Sequence, residues 1–175
     1  MTRIVFSVVM GMLILFTGSA KKQEYNKQAY STTVILGTWH WDVESNKQGS
    51  SDIADLWWEQ ITDKERCLVP VNGAKAKLIP NVNFNTIDPA FIDKQTLSTD
   101  KISGADEGGV LVPGAVVVFR TVEGNLGKIQ IERYRALHDF TFQEAEYLSE
   151  QWKSFVLKKP NREKYHLQVK WKLFR

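Results

Sequence analysis

Ala115-Val116-Val117-Val118-Phe119-Arg120-Thr121-Val122, then Glu123-Gly124-Asn125, then Lys128-Ile129-Gln130-Ile131-Glu132-Arg133-Tyr134: the reading of this stretch decides the fold. Side chains branched at Cβ are stiff and pack well on a pleated surface, so the first run reads as a strand. Glu123-Gly124-Asn125 supplies a turn. The second run alternates Ile129 and Ile131 against Lys128, Gln130 and Glu132, the period of a half-buried strand. Val116 to Phe119 has no polar face, which predicts a strand in the middle of the core, covered on both sides.

Working outward, Thr32 to Val43 predicts one strand, with Trp39, Trp41 and Val43 alternating against His40 and Asp42. Asp52 to Thr62 fits a helical face and a strand alike, and the strand is adopted here for its Trp pair and short length. Arg66 to Val71 and Ala74 to Ile79 flank Asn72-Gly73, a strong short-turn signal, although Pro70 puts the first of these strands at an edge or ends it early. Pro80 to Asp106 is irregular, with one helical turn expected at Pro89 to Asp93.

Downstream the period changes. Thr141-Phe142-Gln143-Glu144 is a capping box, followed by Ala145, Leu148, Trp152, Phe155 and Val156 at helical spacing and closed by Pro160. Tyr165 to Phe174 alternates again as a final strand. The fold class is therefore mainly β, a small barrel or sandwich, with one amphipathic α-helix before the last strand.

The N-terminus carries Arg3, an apolar run from Ile4 to Phe16 and then Thr17-Gly18-Ser19-Ala20, the layout of a secretory signal peptide cleaved before Lys21. The run is shorter than the roughly 20 residues that a retained anchor would need to cross a bilayer, and no Cys follows it to carry a lipid. Residues 21–31 read as a polar leader and 32–175 as a single β-rich domain. The expected location is exported: periplasm, cell surface or extracellular. The one Cys, Cys67, cannot form an internal disulfide, so the core must hold the fold, and its apolar neighbours suit a buried small hydrophobe. The chain has 23 Lys and Arg against 20 Asp and Glu, and cleavage removes only Arg3. This near balance gives no pull toward nucleic acid, and no membrane span is expected after cleavage. With 6 Trp and 9 Phe, the chain is rich in rings that favour sheets and, in some exported proteins, stack on sugars.

Three constellations bear on function. His40 and Asp42 share a strand face and could begin a metal or acid/base site, but no second ligand pair follows at suitable spacing. Trp57, Trp58, Glu59 and Gln60 combine rings with hydroxyl-binding groups, as a glycan platform requires, with Trp57 and Glu59 on one face and Trp58 and Gln60 on the other. The competing reading of both is ordinary surface and core. Lys153 to Arg175 holds eight basic residues against Glu163 alone, suited to an acidic polysaccharide, a phosphate-bearing polymer or an anionic lipid, or simply to solvent. No phosphate-cradling Gly loop, nucleophile elbow or zinc helix occurs, so no cofactor or metal is expected.

Gly37-Thr-Trp-His-Trp-Asp, Ala54-Asp-Leu-Trp-Trp-Glu-Gln, Arg66-Cys-Leu-Val-Pro-Val-Asn-Gly-Ala and Val118-Phe-Arg-Thr-Val-Glu-Gly-Asn-Leu-Gly-Lys together resemble a module of exported bacterial proteins of unknown function. The resemblance runs through most of Gly37 to Tyr134 and departs after it, where the helix is inserted. It implies a bacterial, exported, mainly β module and brings no activity or catalytic residues. The functional expectation is a non-catalytic envelope or extracellular binding or structural module, with a polysaccharide or another envelope component as partner. The alternative is a secreted hydrolase whose acidic pair the sequence does not identify.

Overall fold

In the computed structural model, which describes residues 30–139, 153–154, 158–160 and 162–175, the deciding stretch forms its hairpin. β8 (Val116–Arg120) pairs antiparallel with β9 (Leu126–Arg135), from Val116 opposite Gln130 to Arg120 opposite Leu126. Gly124, at φ 92°, takes the left-handed position of the turn that a side chain would strain, and its N–H donates to the Thr121 carbonyl.

β10 (His166–Phe174) runs along the other edge of β9, and β1 (Ser31–Ile35) along β10, while β6 (Lys75–Ile79) lies beyond β8. This first sheet has the order β1-β10-β9-β8-β6. A second sheet, in the order β3-β2-β4-β5-β7, takes β2 (His40–Asp42), β3 (Lys47–Gln48), β4 (Leu56–Gln60), β5 (Arg66–Pro70) and β7 (Ile102–Ser103). Every pairing is antiparallel. The sheets share one core, in which Trp41, Leu56, Trp58 and Leu68 meet Val117, Phe119, Ile129 and Leu167. Each such side chain contributes about 1.5–3 kcal/mol by leaving water.

The outer face of β8 is covered as well. The single turn of α1 (Pro89–Asp93) forms where expected, capped by the Asp88 carboxylate, which accepts from Phe91 N–H at 2.7 Å. With Phe84, Ile87 and Ile92 it packs over Val116, Val118 and Leu126. That cover corrects the place expected for Lys128 on a wet face: it is 1% exposed, and its ammonium donates to the Phe84 and Ile87 carbonyls at 2.7 and 2.6 Å.

One further expectation needs correction, and another is met in a setting the sequence did not indicate. Thr32 to Val43 is not one strand but β1 and β2, which belong to different sheets. The chain breaks at Gly37, where a methyl would collide with the Tyr165 ring, and at Thr38, which sits at φ 63°. The Asn72-Gly73 turn forms, with φ 54° and 97° and Ala74 N–H donating to Val71 O at 2.9 Å, yet β5 and β6 do not pair. Asn72 donates to the Ala54 carbonyl at 2.9 Å, so the turn is pinned to the second sheet and acts as a corner leading into the first. Asp52–Thr62 resolves as a strand at its centre, β4. Of the helix expected from Thr141 to Pro160, Lys153 and Ser154 are described and helical, and Lys158–Lys159 form a turn and bend; the rest lies outside the described residues, as do the signal segment and residues 21–29.

Candidate functional site

The six residues singled out from sequence do not form one site. Trp58 is fully buried in the shared core, its indole N–H donating to the Tyr165 carbonyl at 3.0 Å. Gln60, on the same face, donates to the same carbonyl at 3.0 Å. The Asp42 carboxylate is spent on the β2–β3 turn, where it accepts from Ser45 Oγ at 2.5 Å and from Ser45 N–H at 3.3 Å. These three groups hold the structure together.

Trp57 and Glu59 lie on the outer face of the second sheet, the alternation expected of them. His40, opposite Trp57 in the ladder, stacks on it with ring centroids 5.1 Å apart and planes at 12°. Burial against that ring lowers the His40 pKa. Glu59 is ion-paired with Lys101 at 2.6 Å, and that hydrogen bond holds its pKa below the usual carboxylate range. Cys67 donates to the same carboxylate at 3.2 Å; burial first, and Glu59 second, push the thiol up to about 11. Both effects disfavour the thiolate, the nucleophilic form. Among the described residues no three metal-ligating side chains gather.

Concavity lies elsewhere. A groove of about 800 Å³ opens on the outer face of the first sheet, beside the β2–β3 hairpin. Its floor carries Thr32 from β1, Gln168 from β10, and Arg133 and Arg135 from β9; its wall carries Trp39 and Lys47, with the amides of Asn46 and Gln48. Gln48 fixes the wall to the floor: its amide donates to Val34 O at 2.7 Å and accepts from Leu36 N–H at 2.8 Å. Arg133 reaches the floor through a bulge. Val169 pairs with Ile131 but Gln168 with Arg133, so Glu132 is skipped and the two arginines turn outward. Arg133 Nε then donates to Gln168 Oε1 at 2.9 Å. Among the described lining residues there is no carboxylate.

A smaller hollow of about 290 Å³ lies at the other end of the β1–β10 pair, beside Ser31, Lys172 and Arg175, and it too is lined by no described carboxylate. The fully buried Asp55 is engaged in structure: its two oxygens accept from Val43 and Val122 N–H at 2.9 and 2.8 Å, while burial raises its pKa. Sequence reasoning missed the groove because its walls come from four separate strands. The signals that were present were Trp39 and the polar row of β10.

No family model, no curated protein and no solved structure matches this chain.

Proposed function

We propose that this chain is an exported, non-catalytic binding module whose groove holds a hydroxyl-rich, anionic ligand, the chemistry of an acidic glycan. The observation that carries the reading is the lining itself: an indole beside Val34 and Leu36, side-chain amides, two threonines and cations, with no carboxylate among the described lining residues. An aromatic face takes the C–H side of a pyranose, the Asn46 amide N–H and Thr32 take hydroxyls, and Lys47 and Arg133 take acid groups. Export is supported by the apolar N-terminal run with its small-residue end.

A hydrolase of glycosidic bonds needs two carboxylates flanking the scissile bond. The acids weighed above are spent otherwise: Asp42 on its turn, Asp55 on two backbone amides and Glu59 on Lys101. The groove reading is therefore preferred over the catalytic one.

The test is titration of the purified protein with acidic and neutral oligosaccharides by calorimetry. Acidic sugars should bind, and the double variant Lys47→Ala/Arg133→Ala should lose that binding, while Trp57→Ala, on the opposite sheet, should retain it. Equal binding of acidic sugar by wild type and the groove variant removes the reading.

A further inference from the structure

The groove does not end at Gln168. In β10, Leu167, Val169, Trp171 and Leu173 face the core, which turns Gln168, Lys170 and Lys172 outward. Thr32, on the groove floor, pairs with Lys170 across the β1–β10 ladder, so Lys170 is the next outward side chain beyond the groove. Lys172 follows one step on. Alternate residues of a strand stand about 7 Å apart, so Gln168, Lys170 and Lys172 mark a row about 14 Å long.

The row is bounded on one side. The Lys170 ammonium lies 4.8 Å from the Tyr30 ring centroid and 4.5 Å from that of Phe84, and Lys172 lies 5.4 Å from Phe174. The segment carrying Phe84 packs over β8 and against Phe174 at the end of β10, and so forms that boundary. Among the described residues no carboxylate ion-pairs with Lys170, Lys172 or Arg133; Glu132, the acid nearest in sequence to Arg133, accepts from Gln168 at 3.0 Å. The field of this row is felt by its neighbour: burial, then Lys172 and Lys170, lower the pKa of Lys128 to about 8, against the opposing pull of Asp88.

We propose that groove and row form one continuous track along β10 that binds a linear polyanion, with acid groups repeating at roughly the strand's two-residue spacing. This rests on the groove reading above and extends it from a site for one or two sugar units to a site for a polymer. Uronate and phosphodiester chains share the required chemistry. A polymer fits better than a lipid surface because the track is concave at its groove end. Among the described residues, only Tyr30 of the exposed large apolar side chains borders it; Ile53, Ile61, Val110, Val112 and Val122 all lie in other segments.

The experiment measures binding of polygalacturonate, inorganic polyphosphate, digalacturonate, neutral dextran and phosphatidylglycerol vesicles to the full chain, over a series of salt concentrations. Three proteins are compared: wild type, Lys170→Ala/Lys172→Ala, and Lys47→Ala/Arg133→Ala. The track predicts that wild type binds one or both polyanions and not dextran. The Lys170/Lys172 variant should lose polymer affinity, with a log–log salt slope shallower by about 1.5–2, yet bind digalacturonate as wild type does. Polymer binding and salt slope unchanged in that variant, with digalacturonate lost in the groove variant, would overturn the track and leave the groove standing. Digalacturonate binding equal in wild type and the groove variant, or no binding of any anion by wild type, would overturn both. Vesicle binding without polymer binding would assign the cations to a membrane and end the proposal.

Discussion

Lys128 drives its ammonium between the carbonyl of Phe84, 2.7 Å away, and the ring of the same residue, whose centroid lies 4.5 Å off. The lysine latches the segment carrying α1 onto the first sheet, and its burial has a sign in pH. Its folded pKa of about 8 lies below the ordinary 10.5, so between those values the unfolded chain holds a proton that the folded one has released. Stability from this residue therefore rises with pH through that window, while below about pH 8 the cost of the buried charge is constant. Urea unfolding of wild type and Lys128→Met at several pH values should show their difference growing by about 1–3 kcal/mol in favour of wild type from pH 8 to 10.5. A pH-independent difference refutes the assignment.

The two adjacent tryptophans should behave differently. Trp58→Ala removes a fully buried ring and should cost about 3–5 kcal/mol, whereas Trp57→Ala, half-exposed against His40, should cost about 1 kcal/mol and leave the fold intact. Equilibrium denaturation reads both, and equal costs would contradict the faces assigned to β4.

Gly127 lies directly under the Phe119 ring, and a methyl there would collide with it. Gly127→Ala should destabilise by about 1–3 kcal/mol by forcing that ring off its place in the core. The reading fails if the variant melts with wild type in calorimetry.

Cys67, 5% exposed with its thiol at about 11, is thiolate in roughly one molecule in a thousand at pH 8. Ellman's reagent should label the native protein far more slowly than the urea-unfolded chain. Rapid stoichiometric labelling of the native protein would show the thiol to be accessible.

Asp55→Ala should cost about 2–4 kcal/mol, since the Val43 and Val122 amides then lose their buried acceptor. The same variant should leave binding in the groove unchanged if the protein is kept below its melting temperature. Loss of binding in the folded variant would reopen a direct role for this carboxylate.

Much of the architecture was legible because local signals agreed with tertiary placement. Val116 to Phe119 could only be covered on both faces, and Leu167 to Leu173 could only be half-buried. The failures have one origin, in that contacts made at long range overrode local pattern. Gly37 closes on Tyr165, which divides an apparently continuous strand; Asn72 ties its turn to Ala54, which makes a hairpin signal into a corner. The site was harder still. Trp57 and Trp58 are neighbours in sequence and opposites in space, while Lys47, Arg133 and Gln168 share the groove from separate strands. The bulge at Glu132, which aims Arg133 into the groove, leaves no mark in the residue pattern.

The first strand of the described fold, β1, has a single partner in its sheet, and that partner is the last strand. During synthesis, amino end first, β1 must therefore wait unzipped until His166–Phe174 has emerged. Closure of that edge is a late event: a product cut before His166 would leave both β1 and β9 with bare edges, open to proteases and to one another's copies.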